Sequence, residues 1–204
     1  YSALISILGE KEHRNIKQTI NDLQISSSRH NSYASFLLGL LYESGVEIER
    51  DMNKSFRYYE KSFIDGNTSG IYRIGRCYAN KIGVEQDYNK AKEYYEQAIE
   101  LDDSDAIAGL GFLYANGQGV EQDYNKAKEY FERAIKLDDS TAMAGLGFLY
   151  ANGLGVKRDY NEAKEYYEQA IELCNSVAMA NLGVLYANGQ GVKQNYIKAK
   201  EYYE

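Results

Sequence analysis

Apolar residues recur along the chain at the spacing of helical faces, and the pattern repeats every 36 residues. In one copy, Ala106, Leu110 and Tyr114 lie on one face, which predicts a first α-helix. Ala127 and Phe131 belong to a second stripe of the same kind, and a polar, glycine-rich stretch separates the two stripes. Each copy therefore predicts a helix, a turn and a second helix.

Turn and cap residues mark where these helices begin and end. Gly117 and Gly119 tolerate left-handed backbone, so we expect them to end the first helix. Asp123 is placed to cap the second helix, and Ser140 is expected to cap the first helix of the next copy. Gly111 lies inside the first helix, where glycine costs about 1 kcal/mol relative to alanine. We therefore expect a neighbouring helix to approach closely there, with large tyrosine side chains beside it.

The copies align over most of the chain. We expect repeats to start near residues 34, 70, 106, 142 and 178 and to cover residues 34–204, with the last repeat truncated. Residues 1–33 are expected to form a degenerate N-terminal repeat or cap. Three columns keep the period throughout: Gly39, Gly75, Gly111, Gly147 and Gly183; Tyr42, Tyr78, Tyr114, Tyr150 and Tyr186; Tyr58, Tyr94, Tyr130, Tyr166 and Tyr202. Tandem copies of this length predict a solenoid.

A common motif runs through the copies. It reads Ala-x-x-x-Leu-Gly-x-Leu-Tyr, then Gly-x-Gly-Val, then Asp-Tyr-x-Lys-Ala-x-x-Tyr-Tyr-x-x-Ala, and residues 106–137 match it closely. The copy near 70 departs from it at Lys81, and the copy near 34 departs at Glu47 and Ile48. This motif resembles the Sel1-like repeat. The tetratricopeptide repeat is the nearest rival, but its period is about 34 residues and it lacks the extended loop with two glycines.

The resemblance implies an all-α fold, an α/α right-handed superhelical solenoid of two-helix, 36-residue repeats. It also implies a non-catalytic scaffold or adaptor, because Sel1-like proteins hold other proteins together in signalling, cell-surface and protein quality-control assemblies. The expected partner is a protein or peptide. We expect it on the concave face that the first helices line, where solenoids generally bind.

Other functions stay open beside the adaptor. The chain begins at Tyr1 and stops within a repeat at Glu204, so we interpret it as a piece of a longer protein. Its repeats would then regulate or target a larger enzyme, such as a kinase or a ubiquitin-ligase complex, whose catalytic part lies outside this chain. Membrane-linked quality control is a third alternative. Self-association through Tyr202 and Tyr203 is a fourth.

Positions that vary between copies while sharing one face of the first helix are candidates for binding. The columns of Tyr33, Leu37, Leu40 and Ser44 vary in this way, whereas the columns of the apolar stripe stay nearly constant. The candidate partner-binding residues drawn from this face are Arg73, Arg76, Asn80, Phe112, Asn116, Phe148, Asn152, Asn181 and Asn188.

These residue types suggest what the face binds. The asparagines can hydrogen-bond the backbone of an extended segment, and Phe112 with Phe148 would form an apolar patch. Arg73 and Arg76 together suit a carboxylate or a phosphate, and the charge pairing predicts an acidic end and an apolar middle in the partner segment. Each residue also has a structural interpretation: Asn116 as a helix C-cap, Phe112 as packing between repeats, and the arginines in surface ion pairs.

Charge and hydropathy exclude two classes of partner. The formal net charge of the 204 residues is −7, which disfavours nucleic acids and anionic membranes because both bind clustered Lys and Arg. The longest apolar runs, such as 108–115, fall far short of the roughly 20 residues of a membrane span. We therefore expect no direct membrane contact from this chain.

Nothing in the sequence supports catalysis, a metal or a cofactor. Its only histidines, His13 and His30, are not placed with cysteines at zinc spacing. The Gly117–Gly119 loop follows a predicted helix rather than a strand, which does not fit a dinucleotide fingerprint. The acidic run 102–105 leads into a helix and lacks the glycine of a calcium loop.

The two cysteines bear on the compartment. Cys77 occupies a column of buried leucines, and Cys174 lies in a turn almost three repeats away, too far for a disulfide within one chain. Free thiols fit a reducing compartment, so the expected location is cytoplasmic. The endoplasmic reticulum lumen and secretion are the alternatives.

Overall fold

The computed structural model of the chain describes residues 16–204, so His13 and the first half of the predicted N-terminal cap lie outside the described part. Within that part the structure contains eleven α-helices and no strand. They are α1 (Ile16–Ser28), α2 (Ser32–Ser44), α3 (Met52–Ile64), α4 (Ile71–Asn80), α5 (Tyr88–Ile99), α6 (Ser104–Asn116), α7 (Tyr124–Ile135), α8 (Ser140–Asn152), α9 (Tyr160–Glu172), α10 (Ser176–Asn188) and α11 (Tyr196–Tyr203).

Helices pair in the order in which they follow one another along the chain. The chain divides into two compact units, the first with residues up to 74 and 82–85, the second with residues 75–81 and 86–204. In the first unit α2 packs on α3; in the second, α6 packs on α7, α8 on α9 and α10 on α11. The predicted fold class, an all-α solenoid of two-helix repeats, is confirmed.

Within the second unit the leading helices of successive repeats contact one another directly. α6 contacts α8, and α8 contacts α10, in addition to the contacts through the intervening second helices α7 and α9. Between α6 and α8, the apolar core includes Ile107, Phe131 and Leu146, each almost fully buried. The leading helices therefore share a continuous surface.

The close approach expected at Gly111 is confirmed. A Cβ atom there would lie 2.8 Å from Cε1 of Phe131, inside van der Waals contact. Gly147 has the same relation to Tyr167, at 2.7 Å from its Cε1. The second helix thus places an aromatic ring where the first helix has no side chain.

Helix caps fall partly where the sequence predicted them. Asp123 caps α7 as expected, accepting hydrogen bonds from the backbone N–H groups of Asn125 and Lys126. For α8 the prediction that Ser140 is the N-cap is wrong. Asp139 is the N-cap instead, and its carboxylate accepts a hydrogen bond from the backbone N–H of Ala142 at 2.7 Å. Asp139 has extended backbone, whereas Ser140 is already the first helical residue. An aspartate one residue earlier reaches the free N–H groups of the first turn.

Turns between paired helices use left-handed backbone as predicted. Gly117 (φ 66°) and Gly119 (φ 68°) both adopt it. The N–H of Gly117 donates to the carbonyl of Leu113, so Gly117 rather than Asn116 ends α6 as its C-cap. Asn116 is the last residue of the helix, and its side chain is exposed.

Each turn also rests on the preceding repeat. Gly119 lies against Tyr88, and the amide of Gln118 donates to the Tyr88 hydroxyl at 3.0 Å. Gln190 makes the equivalent hydrogen bond to Tyr160 at 3.1 Å. In the fourth repeat Leu154 stands at this position, so the contact with the third repeat lacks that hydrogen bond.

Replacing Asp139 with asparagine should stabilise the fold at neutral pH. Asp139 is 7% exposed, and burial raises its pKa above the ordinary value. The folded state therefore holds the proton more tightly than the unfolded chain, so stability falls as pH rises through the window between the two pKa values. Asparagine caps α10 at the equivalent position, Asn175, and carries no charge. Chemical unfolding between pH 4 and 7, a range set by carboxyl titration, should show a flatter profile for Asp139→Asn.

Asp103→Asn is the matched control for that measurement. Asp103 caps α6 at the same position one repeat earlier but is only half-buried, so water solvates its carboxylate. We expect Asp103→Asn to change the pH profile less than Asp139→Asn does, because burial, the main cause of the raised Asp139 pKa, stays in place and only the smaller contribution of the neighbouring Asp103 charge is lost. A wild-type profile for Asp139→Asn would contradict the role of the buried charge.

Candidate functional site

A groove of about 600 Å³ runs across the leading helices of the second unit. Its lining comes from α6 (Phe112, Ala115, Asn116), α8 (Thr141, Ala144, Gly145, Phe148, Leu149) and α10 with its cap (Asn175, Val177, Asn181). Gln122, Tyr124, Phe131 and Leu154 complete it from the turns and from α7. We call it the phenylalanine groove, after Phe112, Phe131 and Phe148.

Three aromatic rings form its apolar part. Phe131 is 1% exposed and forms the floor, while Phe148 is 49% exposed. Phe112 meets Phe131 edge to face, with ring centroids 4.9 Å apart and the planes at 63°. Such edge-to-face contacts stabilise the geometry of the rings, so the floor is preformed.

Polar side chains surround the rings. Gln122 is already engaged, because its amide donates to the carbonyl of Ala115 at 2.9 Å and to the hydroxyl of Tyr124 at 3.0 Å. Asn116 and Thr141 are exposed, and Asn181 is half-buried. Every residue in the lining is uncharged at neutral pH. The groove therefore offers amide and hydroxyl groups beside an apolar floor.

Four of the nine predicted binding residues meet in this groove: Phe112, Asn116, Phe148 and Asn181. Two other asparagines do not line it. Asn152 turns back on its own helix and donates to the carbonyl of Phe148 at 2.8 Å. Asn188 is the exposed last residue of α10.

The two arginines and Asn80 lie elsewhere. In the first unit, Nη1 of Arg73 is 3.1 Å from Oε2 of Glu43, so the surface ion pair foreseen as an alternative is formed there. Arg76 is half-buried in the second unit, and the amide of Asn80 donates to its carbonyl at 3.1 Å. None of these residues lines the phenylalanine groove.

The periodicity of the first helices did not indicate the residues that the turns and the second helix contribute. Gln122, Tyr124 and Leu154 come from outside the variable face. Phe131 could have been singled out from the sequence, because the equivalent residue is a tyrosine in the other four copies: Tyr59, Tyr95, Tyr167 and Tyr203.

The described residues show neither a metal-binding cluster nor a membrane-spanning helix. Residues 16–204 contain no group of three or more His, Cys, Asp or Glu side chains that could hold a metal ion. Among the same residues no helix combines the length and the apolar character needed to cross a membrane. Cys77 is buried, as its column predicted, and Cys174 is exposed in a turn with φ of 60°.

Paired helices repeated every 36 residues define the chain as an α-helical repeat protein. It belongs to the Sel1 repeat family, whose model matches residues 32–67, 68–103, 104–139, 140–173 and 176–204. Sel1-repeat proteins generally act as protein-interaction scaffolds, and the family is typically non-catalytic.

Solved structures include several similar chains. A Sel1 repeat protein from Oxalobacter formigenes is 32% identical, with a TM-score of 0.68 over 85% of this chain and 71% of that chain. A protective antigen of uropathogenic Escherichia coli with an SLR fold is 29% identical, with a TM-score of 0.68 over 90% of this chain and 39% of that one. A putative Sel1 repeat protein from Klebsiella pneumoniae, at 20% identity and a TM-score of 0.64, covers 90% and 89% and supports the fold alone. No curated protein matches the chain.

Proposed function

We propose that this chain is a non-catalytic interaction scaffold and that its phenylalanine groove receives an extended segment of a partner protein. The observation that carries the proposal is the convergence of Phe112 and Phe148 with Asn116 and Asn181 on one preformed groove. Aromatic side chains at the centre of an interface commonly supply most of the binding energy.

The arrangement suits a peptide backbone in two ways. Asparagine carries both a donor and an acceptor, so Asn116 and Asn181 can pair with the alternating N–H and C=O groups of an extended chain. Contact with the rings of Phe112 and Phe148 removes apolar surface from water at the same time. Helices fix both sets of residues, which limits the entropy lost on binding.

Phe148→Ala should weaken partner binding by about 30-fold, the effect of a typical aromatic hot spot. Asn181→Ala should weaken it by several-fold through the loss of a backbone hydrogen bond. The measurement is affinity capture with quantitative mass spectrometry, followed by titration of each captured protein against the wild-type and variant chains.

Val184→Ala is the matched control for this experiment. Val184 occupies the column of Phe148 in the next repeat and is 44% exposed, but it does not line the groove. Its substitution should leave binding unchanged. Partners retained by Phe148→Ala and Asn181→Ala but lost with Val184→Ala would place the interaction outside the phenylalanine groove.

A further inference from the structure

We propose that the first unit carries a second interaction surface, which binds an acidic segment of a partner protein. The surface is an open pocket of about 400 Å³ whose lining comes from α1 (Gln24), α2 (Tyr42) and α3 (Lys54, Arg57, Tyr58, Lys61). We call its three cations, Lys54, Arg57 and Lys61, the basic strip. The phenylalanine groove is lined by other residues, so this inference does not rest on the proposed function.

The basic strip follows one face of α3. Its members are three and four positions apart, a spacing that places side chains one above another along a helix. Arg57, the middle member, is exposed. Nζ of Lys54 lies 5.2 Å from the centre of the Tyr42 ring, which stacks on the Tyr58 ring with the centroids 5.6 Å apart. Two stacked aromatic rings therefore belong to the same surface as the cations.

The pocket offers hydrogen-bond donors and positive charge. All six side chains of its lining can donate a hydrogen bond, and among the described residues the lining includes no carboxylate. Lys54 pairs with Asp51 at 3.2 Å and Lys61 with Asp65 at 2.9 Å, but both aspartates lie outside the lining. An ammonium group has three N–H donors, so each lysine keeps donors for a further acceptor. The surface therefore suits a negatively charged ligand.

The other copies of the repeat carry an acid in the middle of this face. The residue equivalent to Arg57 is a glutamate in all four of them: Glu93, Glu129, Glu165 and Glu201. Since the strip is cationic throughout only in the first unit, its charge is a property of that unit and not of the repeat.

The third repeat keeps the architecture of this face without its charge. Its rings Tyr114 and Tyr130 stack with centroids 5.5 Å apart, as Tyr42 and Tyr58 do in the first unit. Its strip reads Lys126, Glu129 and Arg133, and Glu96 stands at the position of Gln24. The stacked rings are thus common to both repeats, and the difference between them lies in the charged side chains.

The length of the strip favours a segment over a single ion. Asp51 and Asp65 are the N-cap and C-cap of α3, so their ion pairs hold the two lysine ammonium groups toward opposite ends of that helix. Seven residues of helix span about 10 Å. A single phosphate group would have to draw both ammonium groups away from their aspartates. An extended chain places carboxylates two residues apart at about 7 Å, close to the spacing of neighbouring cations.

The net charge of −7 favours a narrow ligand over a broad one. Charges farther away than about 8 Å are largely screened at physiological ionic strength, so a single segment responds mainly to the strip. A membrane or a nucleic-acid duplex would also face the acidic remainder of the chain. Charge complementarity is therefore local, and it fits an acidic protein segment.

Fluorescently labelled hexaglutamate, titrated with the 204-residue chain and followed by fluorescence anisotropy, tests the inference. Arg57→Glu should weaken binding at least about tenfold, because it places a like charge in the centre of the strip. The fold accepts glutamate there, since four copies of the repeat carry it. Raising the salt concentration from about 0.1 M to about 1 M shortens the screening length from about 10 Å to about 3 Å and should weaken binding as well.

Arg133→Glu is the matched control. It changes the net charge by the same amount and lies in the third repeat, at the position equivalent to Lys61. We expect it to leave hexaglutamate binding unchanged. The reciprocal variant, Glu96→Gln with Glu129→Arg, copies the basic strip into the third repeat. In isothermal titration it should double the number of hexaglutamate molecules bound per chain.

The possible outcomes decide for or against the acidic segment. Loss of binding with Arg57→Glu alone supports it, whereas equal loss with Arg133→Glu, or no binding to the wild-type chain, overturns it. Inorganic phosphate that displaces hexaglutamate at equal concentration would make the pocket a single-ion site. Phosphatidylserine vesicles that bind the wild-type chain but not Arg57→Glu, when hexaglutamate does not bind, would replace the segment with a membrane. Phe148→Ala should leave hexaglutamate binding unchanged, so the two proposals fail separately.

Discussion

The triple substitution Ala115→Glu, Phe131→Tyr and Gly145→Arg should weaken peptide binding at the phenylalanine groove by at least about 100-fold, or about 2.7 kcal/mol. It installs in the second unit the triad that Glu43, Tyr59 and Arg73 form in the first. A side chain at position 145 has to displace the ring at position 131, because its Cβ atom would lie 2.8 Å from Cζ of Phe131, and this displacement moves the floor of the groove. Titration of the partners captured by the wild-type chain measures the loss.

A matched variant places the same triad one repeat earlier. There Tyr95 already supplies the hydroxyl, so Ala79→Glu with Gly109→Arg completes the set outside the groove. The glycines at 109 and 145 have nearly the same clearance to the ring behind them, so both variants carry similar strain. The control should bind peptides like the wild-type chain. Equal loss in both variants would mean that the substitutions act on folding and not on the groove.

Gly155→Ala should destabilise the fold by about 3 kcal/mol, from left-handed backbone and overpacking together. Gly155 has φ of 66°, and a Cβ atom there would lie 2.6 Å from Cβ of Tyr124 and 3.0 Å from its carbonyl carbon. Backbone cannot rotate away as a side chain can, so the turn must move off the preceding repeat. Urea unfolding followed by circular dichroism measures the change.

Gly153→Ala separates the two contributions. Gly153 has nearly the same backbone, with φ of 68°, but the nearest atom to its added Cβ is the side-chain Cβ of Arg158 at 3.1 Å. Only the cost of left-handed backbone, about 1–2 kcal/mol, is expected there. If the two alanines destabilise the chain equally, contact with the preceding repeat adds nothing to the stability of the turn.

The fold could be read from the sequence because its signals are local and repeated. Helical spacing located every pair of helices, and the caps and turn glycines followed from single residue types such as Asp123 and Gly117. The prediction of Ser140 as the N-cap of α8 failed because serine and aspartate are both good caps. The two adjacent residues compete for one set of backbone N–H groups. Propensity alone does not decide between such neighbours.

The site could be predicted only in part, because it depends on contacts between distant residues. Phe112 and Phe148 share a variable helical face, which sequence comparison within the chain detects. Arg73 lies on the same face, but its partner Glu43 is thirty residues away and comes within reach only through packing. Leu154 enters the groove from a turn, whose path no periodicity describes.

Leu154 has a second consequence. In a linear array, cooperativity depends on the coupling between neighbouring modules, and the weakest coupling sets where the array separates under load or denaturant. The amides of Gln118 and Gln190 each donate a hydrogen bond to a tyrosine hydroxyl of the preceding repeat. Leu154 has no amide, so the boundary between the third and fourth repeats, which lines the phenylalanine groove, lacks this hydrogen bond. The boundary that lines the groove therefore has one hydrogen bond fewer than its two neighbours in the second unit, and a ligand that contacts both repeats would strengthen their coupling.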